Sequence, residues 1–568
     1  MISSSRASVI LKGFYAFVLL NVILIIPSWF SQFIYHDFSH ILHTEFKYIF
    51  QYFWISVDLI LIVITIGFLR KSKKYQPVIR TFMLLYIILL SYEIYRELMI
   101  SGMNRPPLLF NDLNLLVDSF YLVVDLFSSI WVYLIFAIIV IVALFIKIIP
   151  MLFQMLGNGI SKVESTQRFG LFSLILLAGV ISSHQIRLIV HDAAPAQFVA
   201  SRMKQDLFDS YQMFRNVDDY HQSNFFESAL PGKLNDNFYT PNFYIFFVES
   251  YGKIIADNAF LRPQYTHMME AINDSLSKNN WSVVTNYSQA PVIGGSSWLS
   301  ALTLLSGKKI DNQIKYGYFT ANYTPDFVTY LHRKGYHSVL LQPPTRERPG
   351  LPVNNLYKFN TSILYDDLEY TGKKYGWGII PDQYSLRFVQ ESYLSKISEP
   401  IFLFFTMVSS HVPWDILQLP PYSKHPISSE ALLKLYNNNQ TGKFSSPSKS
   451  KTKASPDSYS IIEDYLNFIT YDLHVIQQFI LNDISPESVI MILGDHQPPI
   501  LRQDDLNYQT PVHIISKNPE ILDTFKRYNF VPGMVKKSDK ENPVSHEDLF
   551  HIAFEALEKP VNMSQEEK

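Results

Sequence analysis

The sequence predicts a chain in two parts: a bundle of five transmembrane helices over residues 1–190, then an outer α/β domain over residues 239–560. A helical linker, residues 191–238, joins them. Three observations predict this. Five apolar stretches in the first third are each long enough to cross a bilayer. Lys and Arg alternate in density between the loops that separate those stretches. From Asn242 onward, short apolar runs alternate with amphipathic stretches, which is the pattern of a mostly parallel sheet covered by helices on both faces.

The five stretches are residues 9–30, 49–69, 78–95, 130–149 and 170–190. The first is too long for a signal-peptide core and lacks a small-residue cleavage site, so it reads as an uncleaved anchor. With the N-terminus inside, Arg6, Lys12, Arg70, Lys71, Lys73, Lys74, Arg80, Lys147, Lys162 and Arg168 fall in cytoplasmic segments. Only Lys47, Arg96 and Arg105 then lie in outer loops. An odd number of spans delivers everything after about residue 191 to the outer face. The stretch before the fourth span, which carries Asp112 and Asp118, reads as an interfacial helix at the outer surface.

In the outer domain the strand candidates are NFYIFFVE, SVVT, HSVLL, IFLFFTMV, SVIMIL and PVHIIS. Residues 457–482 form a clear helix, with Ile461, Tyr465, Ile469, Leu473, Ile476 and Ile480 at helical spacing. Residues 416–455, rich in Ser, Lys, Pro and Asn, read as a flexible insertion. His546 falls at a helix start, with Ser545 and Asp548 set as a capping pair.

Composition narrows the chemistry. A net charge of −2 gives no footprint for nucleic acid. With no cysteine, any metal must be held by oxygen and nitrogen. Functional sites in such sheets lie at the carboxyl ends of strands, where Glu249, His411, Asp495 and His496 all fall. Asp495 and His496 can ligate one divalent ion, Glu249 supplies a third ligand and a serine alkoxide the fourth; this set suits Zn²⁺ or Mn²⁺. The serine comes from GGSSWLSALTLLSG, where two glycines precede Ser296 and Ser297 and an apolar helical stretch follows. A helix N-terminus favours an alkoxide or a phosphate, although a plain N-cap fits the same residues. Arg346 and Arg348 in QPPTRERPG are candidates for a substrate phosphate, with a solvated loop as the alternative. His513 reads as core, and Trp377 and Tyr384 as packing.

The motifs FVESYG, GGSSWLSALTLLSG, SSHVPW, GDHQPP and SHEDLFHIAFEAL resemble those of the alkaline phosphatase/sulfatase superfamily. The whole chain looks like the superfamily's five-span membrane members, the lipoteichoic acid synthases and phosphoethanolamine transferases. The resemblance implies an alkaline phosphatase-like fold with one metal held by Glu249, the nucleophile, Asp495 and His496, and His411 on the phosphate. Laying the sulfatase Leu-Leu-Thr-Gly onto Leu304, Leu305, Ser306 and Gly307 places the nucleophile at Ser297 rather than Ser296. Leu299 and Ala301 stand where sulfatases carry the Pro and Arg needed for formylglycine conversion. The implied reaction is therefore transfer of a phosphoglycerol or phosphoethanolamine headgroup, through a phosphoserine, from a membrane phospholipid donor to an envelope glycan or lipid acceptor. The implied place is the outer face of a bacterial cytoplasmic membrane. Two alternatives stay open: a sulfatase-like hydrolase acting on a phosphodiester or sulfuric ester, and a non-catalytic lipid sensor. The sequence sets no oligomeric state.

Overall fold

The computed structural model describes residues 4–35, 54–69, 71–72, 75–103, 107–112, 131–163, 198–215, 239–321, 326–346, 357–375, 380–412, 414, 419–438, 456–498, 508–536 and 542–558. The chain divides into two compact units, Met1–Asn216 and Val217–Lys568.

Four helices of the first unit fall on the first four predicted spans, α2 on only the second half of its span: α1 (Ser4–Tyr35), α2 (Val57–Leu69), α3 (Tyr75–Met103) and α4 (Trp131–Lys162). Among the described residues, Arg6–Trp29 and Tyr75–Ile100 are long and apolar enough to cross a membrane. The fifth predicted span and most of the predicted interfacial helix lie outside the described residues. Helices α1 and α4 touch at glycine: a Cβ on Gly13 would lie 2.8 Å from the Gly159 Cα. Small residues permit that approach, as in membrane helix pairs. The linker supplies α5 (Val199–Arg215), which packs into this unit. Asp58 in α2 accepts the N–H of Val199 at 2.7 Å and so caps α5, while Arg202 pairs with the buried Glu93 at 2.6 Å.

The second unit is built on one nine-stranded sheet. Its strands are β1 (Phe243–Val248), β2 (Ser282–Gln289), β3 (His337–Gln342), β4 (Thr361–Leu364), β5 (Ile401–Met407), β6 (Val489–Gly494), β7 (Gln509–Ser516), β8 (Val531–Pro532) and β9 (Val544–Ser545). Their order is β4-β3-β5-β1-β6-β7-β2-β8, with β9 beside β2. The first five in that order run parallel, as the apolar runs predict. Pairing then turns antiparallel at β6–β7, β7–β2 and β2–β8, so the sheet is mixed. Strand β1 is buried along its whole length because both faces are covered. Tyr244, Phe246 and Val248 enter one core; Phe243, Ile245 and Phe247 enter the other.

The helices that matter for the site are α6 (Leu261–Lys278), α7 (Ser297–Ser306), α8 (Asp382–Ser392), α9 (Ser429–Asn437), α10 (Pro456–Asn482) and α11 (His546–Leu557). Within residues 416–455, α9 is an ordered element. Ser428 caps it, and Leu432 and Tyr436 are buried, anchors hidden in polar surroundings. Residues 439–455 lie outside the described residues. The expected capping box is present at α11, where Ser545 and Asp548 exchange hydrogen bonds.

Candidate functional site

Strand register builds the site. Val248 pairs with Met407 on one side and Gly494 on the other, so Glu249, Val408 and Asp495 emerge side by side at the carboxyl edge. Gly494 is required by a close approach: a Cβ there would lie 1.9 Å from the Tyr251 carbonyl oxygen. The chain leaving β1 passes directly over it.

Glu249, Asp495 and His496 converge, with one ligand atom from each lying within 4.8 Å of the others, and all three are buried. The His496 Nε2 is 3.5 Å from Glu249 Oε1 and 3.3 Å from Asp495 Oδ2. Ser297 completes the group: its Oγ donates to Glu249 Oε2 at 3.1 Å and lies 3.3 Å from His496 Nε2. The His496 Nδ1–H donates to the Gln497 carbonyl at 3.0 Å, which leaves Nε2 as the lone-pair nitrogen facing the group.

Ser297 opens α7 after three residues with positive φ: Gly294 at 69°, Gly295 at 137° and Ser296 at 64°. Ser296 makes no side-chain cap, so the plain N-cap alternative does not hold. The unpaired N–H groups of a helix's first turn form a shape that receives anions. Sequence order alone left Ser296 and Ser297 as rivals; the structure aims Ser297 at Glu249.

The three ligand candidates carry different charge. Burial raises the Glu249 carboxyl, but His496, His411 and hydrogen bonds with Asp495 and Ser250 outweigh it and hold the group below its ordinary value. Asp495 goes the other way, driven well above the usual carboxylate range by burial and by the adjacent Glu249. Burial lowers His496 against the pull of Glu249. Asp495 Oδ1 accepts two backbone N–H groups, from Ser250 at 2.7 Å and His496 at 2.6 Å. Its Oδ2 is buried without a hydrogen-bond partner. That orphaned oxygen, a second carboxylate and a neutral imidazole are a fitting donor set for one divalent cation.

His411 follows β5 at the same edge and is half-buried. Its Nδ1–H donates to the Val412 carbonyl at 2.6 Å. The Arg346 guanidinium stacks on the Tyr365 ring, 3.7 Å from the centroid. Arg348 and Trp377 lie outside the described residues.

Sequence reasoning passed over the supports. Ser250 Oγ donates to Glu249 Oε1 at 3.0 Å. Ser410 Oγ donates to the Glu249 carbonyl at 2.7 Å. Tyr465, read as part of an apolar stripe, donates its phenol to the Ser250 carbonyl at 2.9 Å. Gln497 accepts the Ile254 N–H on its side chain and the Gly294 N–H on its carbonyl, tying the serine loop to the β1 turn.

No family model and no curated protein sequence matches the chain. Among solved structures, it is similar to the integral membrane lipooligosaccharide phosphoethanolamine transferase A (EptA) from Neisseria meningitidis: 14% identity, 98% of this chain and 96% of that one, TM-score 0.45. It is also similar to the C-terminal periplasmic domain of EptC from Escherichia coli in complex with Zn: 15% identity, 57% and 85% covered, TM-score 0.37. A third similar structure, from Vibrio parahaemolyticus, is described as a protein in the alkaline phosphatase superfamily, the superfamily whose motifs this chain resembles: 12% identity, 60% and 75% covered, TM-score 0.32.

Proposed function

We propose that the chain is a metal-dependent transferase at the outer face of a bacterial cytoplasmic membrane. It moves a phosphoglycerol or phosphoethanolamine headgroup from a membrane phospholipid to a hydroxyl on an envelope glycan or lipid. The single observation that carries this reading is the convergence of Ser297 Oγ with Glu249, Asp495 and His496 at one strand edge. A hydroxyl held against buried acids and a neutral imidazole is the arrangement of an activated nucleophile.

Glu249, Asp495, His496 and the Ser297 oxygen would hold one divalent ion, Zn²⁺ or Mn²⁺, which when bound supplies Lewis-acid polarisation and lowers the serine pKa. Ser297 gives up its proton on the side of Glu249 Oε2, its hydrogen-bond acceptor. The Ser297 Oγ–phosphorus bond forms while the bond from phosphorus to the diacylglycerol oxygen breaks. His411, whose Nδ1 is fixed on Val412, is the group that delivers a proton to that oxygen. The acceptor hydroxyl then gives its proton to His411 as its oxygen bonds phosphorus, the serine ester breaks, and Ser297 takes back its proton from Glu249. N–H groups at the start of α7 receive a phosphate oxygen in both steps. Five membrane spans tether the domain to the lipid layer that holds its donor and raise the effective donor concentration.

The test uses the full chain with headgroup-labelled phospholipid, with and without envelope glycan. Acceptor-dependent release of diacylglycerol is the expected result. Acceptor-independent release of headgroup phosphate would make the protein a hydrolase. Lipid binding without turnover or metal would make it a sensor.

A further inference from the structure

Behind the turn that carries His411 lie two fully buried acids, Asp382 at the first position of α8 and Asp472 in the middle of α10. Asp382 Oδ2 accepts the N–H groups of Val408 at 3.0 Å and Ser409 at 2.7 Å. Ser409 Oγ accepts the Asp382 N–H in return, at 3.1 Å. Ser410, next in the turn, holds the Glu249 carbonyl and receives the Trp414 indole N–H at 2.7 Å. The Asp472 carboxyl meets both Asp382 and Ser410. Yet Asp382 Oδ1 and both Asp472 oxygens are buried without a well-formed hydrogen bond, the Ser410 N–H near Asp472 being its one backbone donor against two on Asp382. Two buried carboxylates in contact cannot both stay charged, and one proton between them resolves the conflict. The charge belongs on Asp382, which has two backbone donors and a helix N-terminus. The proton belongs on Asp472.

We propose that the Asp472–Asp382 pair, bridged by one proton, is a positioning device that fastens the turn from Val408 to His411 beside the candidate metal centre. The role of His411 rests on the transferase reading; the shared proton does not. Burial raises both acids, Asp382 to about 6 and Asp472 well above the carboxylate range, in keeping with the assignment. The other titratable groups that face the pair are the phenols of Tyr436 on α9 and Tyr471 on α10. The folded-state value of Asp472 lies above its unfolded value. Its contribution is therefore full at low pH and lost as pH rises through the folded value.

The experiment compares the full chain with Asp472→Asn and Asp472→Leu. Asparagine still donates to Asp382 but cannot ionise; leucine cannot donate. Hydrogen exchange over residues 401–412 should be native-like in Asp472→Asn and about tenfold faster in Asp472→Leu, the effect of losing one charge-assisted bond. Transferase kcat/KM should fall about tenfold in Asp472→Leu and recover in Asp472→Asn. Thermal stability of the wild type should decline on the alkaline side, and Asp472→Asn should lack that decline. An unchanged decline in Asp472→Asn overturns the shared proton, and native exchange in a folded Asp472→Leu overturns the positioning role. Should Asp472→Leu not fold, the Asp472→Asn pH comparison decides. If exchange and pH behave as expected while even the wild type consumes no phospholipid, the pair stands and the transferase reading falls.

Discussion

Ser250 is a non-glycine residue at φ 57°, fully buried, and its position explains why the chain accepts that conformation. The left-handed turn sends its N–H to Asp495 and its hydroxyl to Glu249, so one residue orients both acids. Removing that hydroxyl by Ser250→Ala should weaken metal affinity about tenfold, measured by competition with a chromogenic chelator. Glu249→Gln should lose the bound ion altogether, by elemental analysis of the purified chain. Ser297→Ala should keep the fold and most of the ion but lose turnover by roughly 10³-fold or more. The ligand candidates were readable in the sequence because each ends an apolar run at a strand edge. Ser250, Ser410 and Tyr465 were not, because their work depends on a backbone sign of φ or on a partner over 150 positions away. Arg346 shows the converse. Its residue type suits a phosphate, but only the fold reveals the Tyr365 ring beneath it.

At the scale of elements, β1, β2, β3, β5, β6 and β7 all announced themselves through apolar runs and the short β4 did not, but the antiparallel direction of β2 and β7 stayed hidden. Strand β7 is nearly all buried, like its parallel neighbours, so burial alone cannot give its direction. Direction was hidden in the connections. Helix α9 escaped notice because its anchors, Leu432 and Tyr436, stand in a stretch dominated by Ser and Lys. The pairing of β1 with β6 explains the glycine of GDHQPP. Gly494→Ala forces backbone against backbone and should cost about 2–4 kcal/mol, with lower metal occupancy, read by thermal unfolding and metal content. Another link, between β2 and β7, yields a pH prediction. Thr285 spends its proton on the Gly533 carbonyl at 2.6 Å, so it accepts from His513 Nδ1 at 2.7 Å, and His513 Nε2 accepts from Tyr251 at 3.0 Å. Burial pushes His513 down to about 3, below its unfolded value. The stability it contributes is present above about pH 6.5 and is lost as pH falls toward 3. His513→Gln should flatten that acid limb in thermal unfolding.

For the whole molecule, apolar stretches and loop charges set the expected topology, and helices α1 to α4 match four of the five stretches. The absence of cysteine makes this directly testable. A lone cysteine at Ser72 should resist an impermeant maleimide applied from outside, while one at Ser277 should react; the reverse labelling would invert the orientation. The central claim is that Ser297, held against Glu249 and His496, takes the headgroup phosphate onto its own oxygen. Peptide mass spectrometry of the full chain, quenched during exposure to phospholipid vesicles, tests this most directly. The account predicts a phosphoglycerol or phosphoethanolamine mass on the peptide bearing Ser297, absent in Ser297→Ala; turnover with that peptide unmodified, or the mass on Ser296 instead, would contradict it.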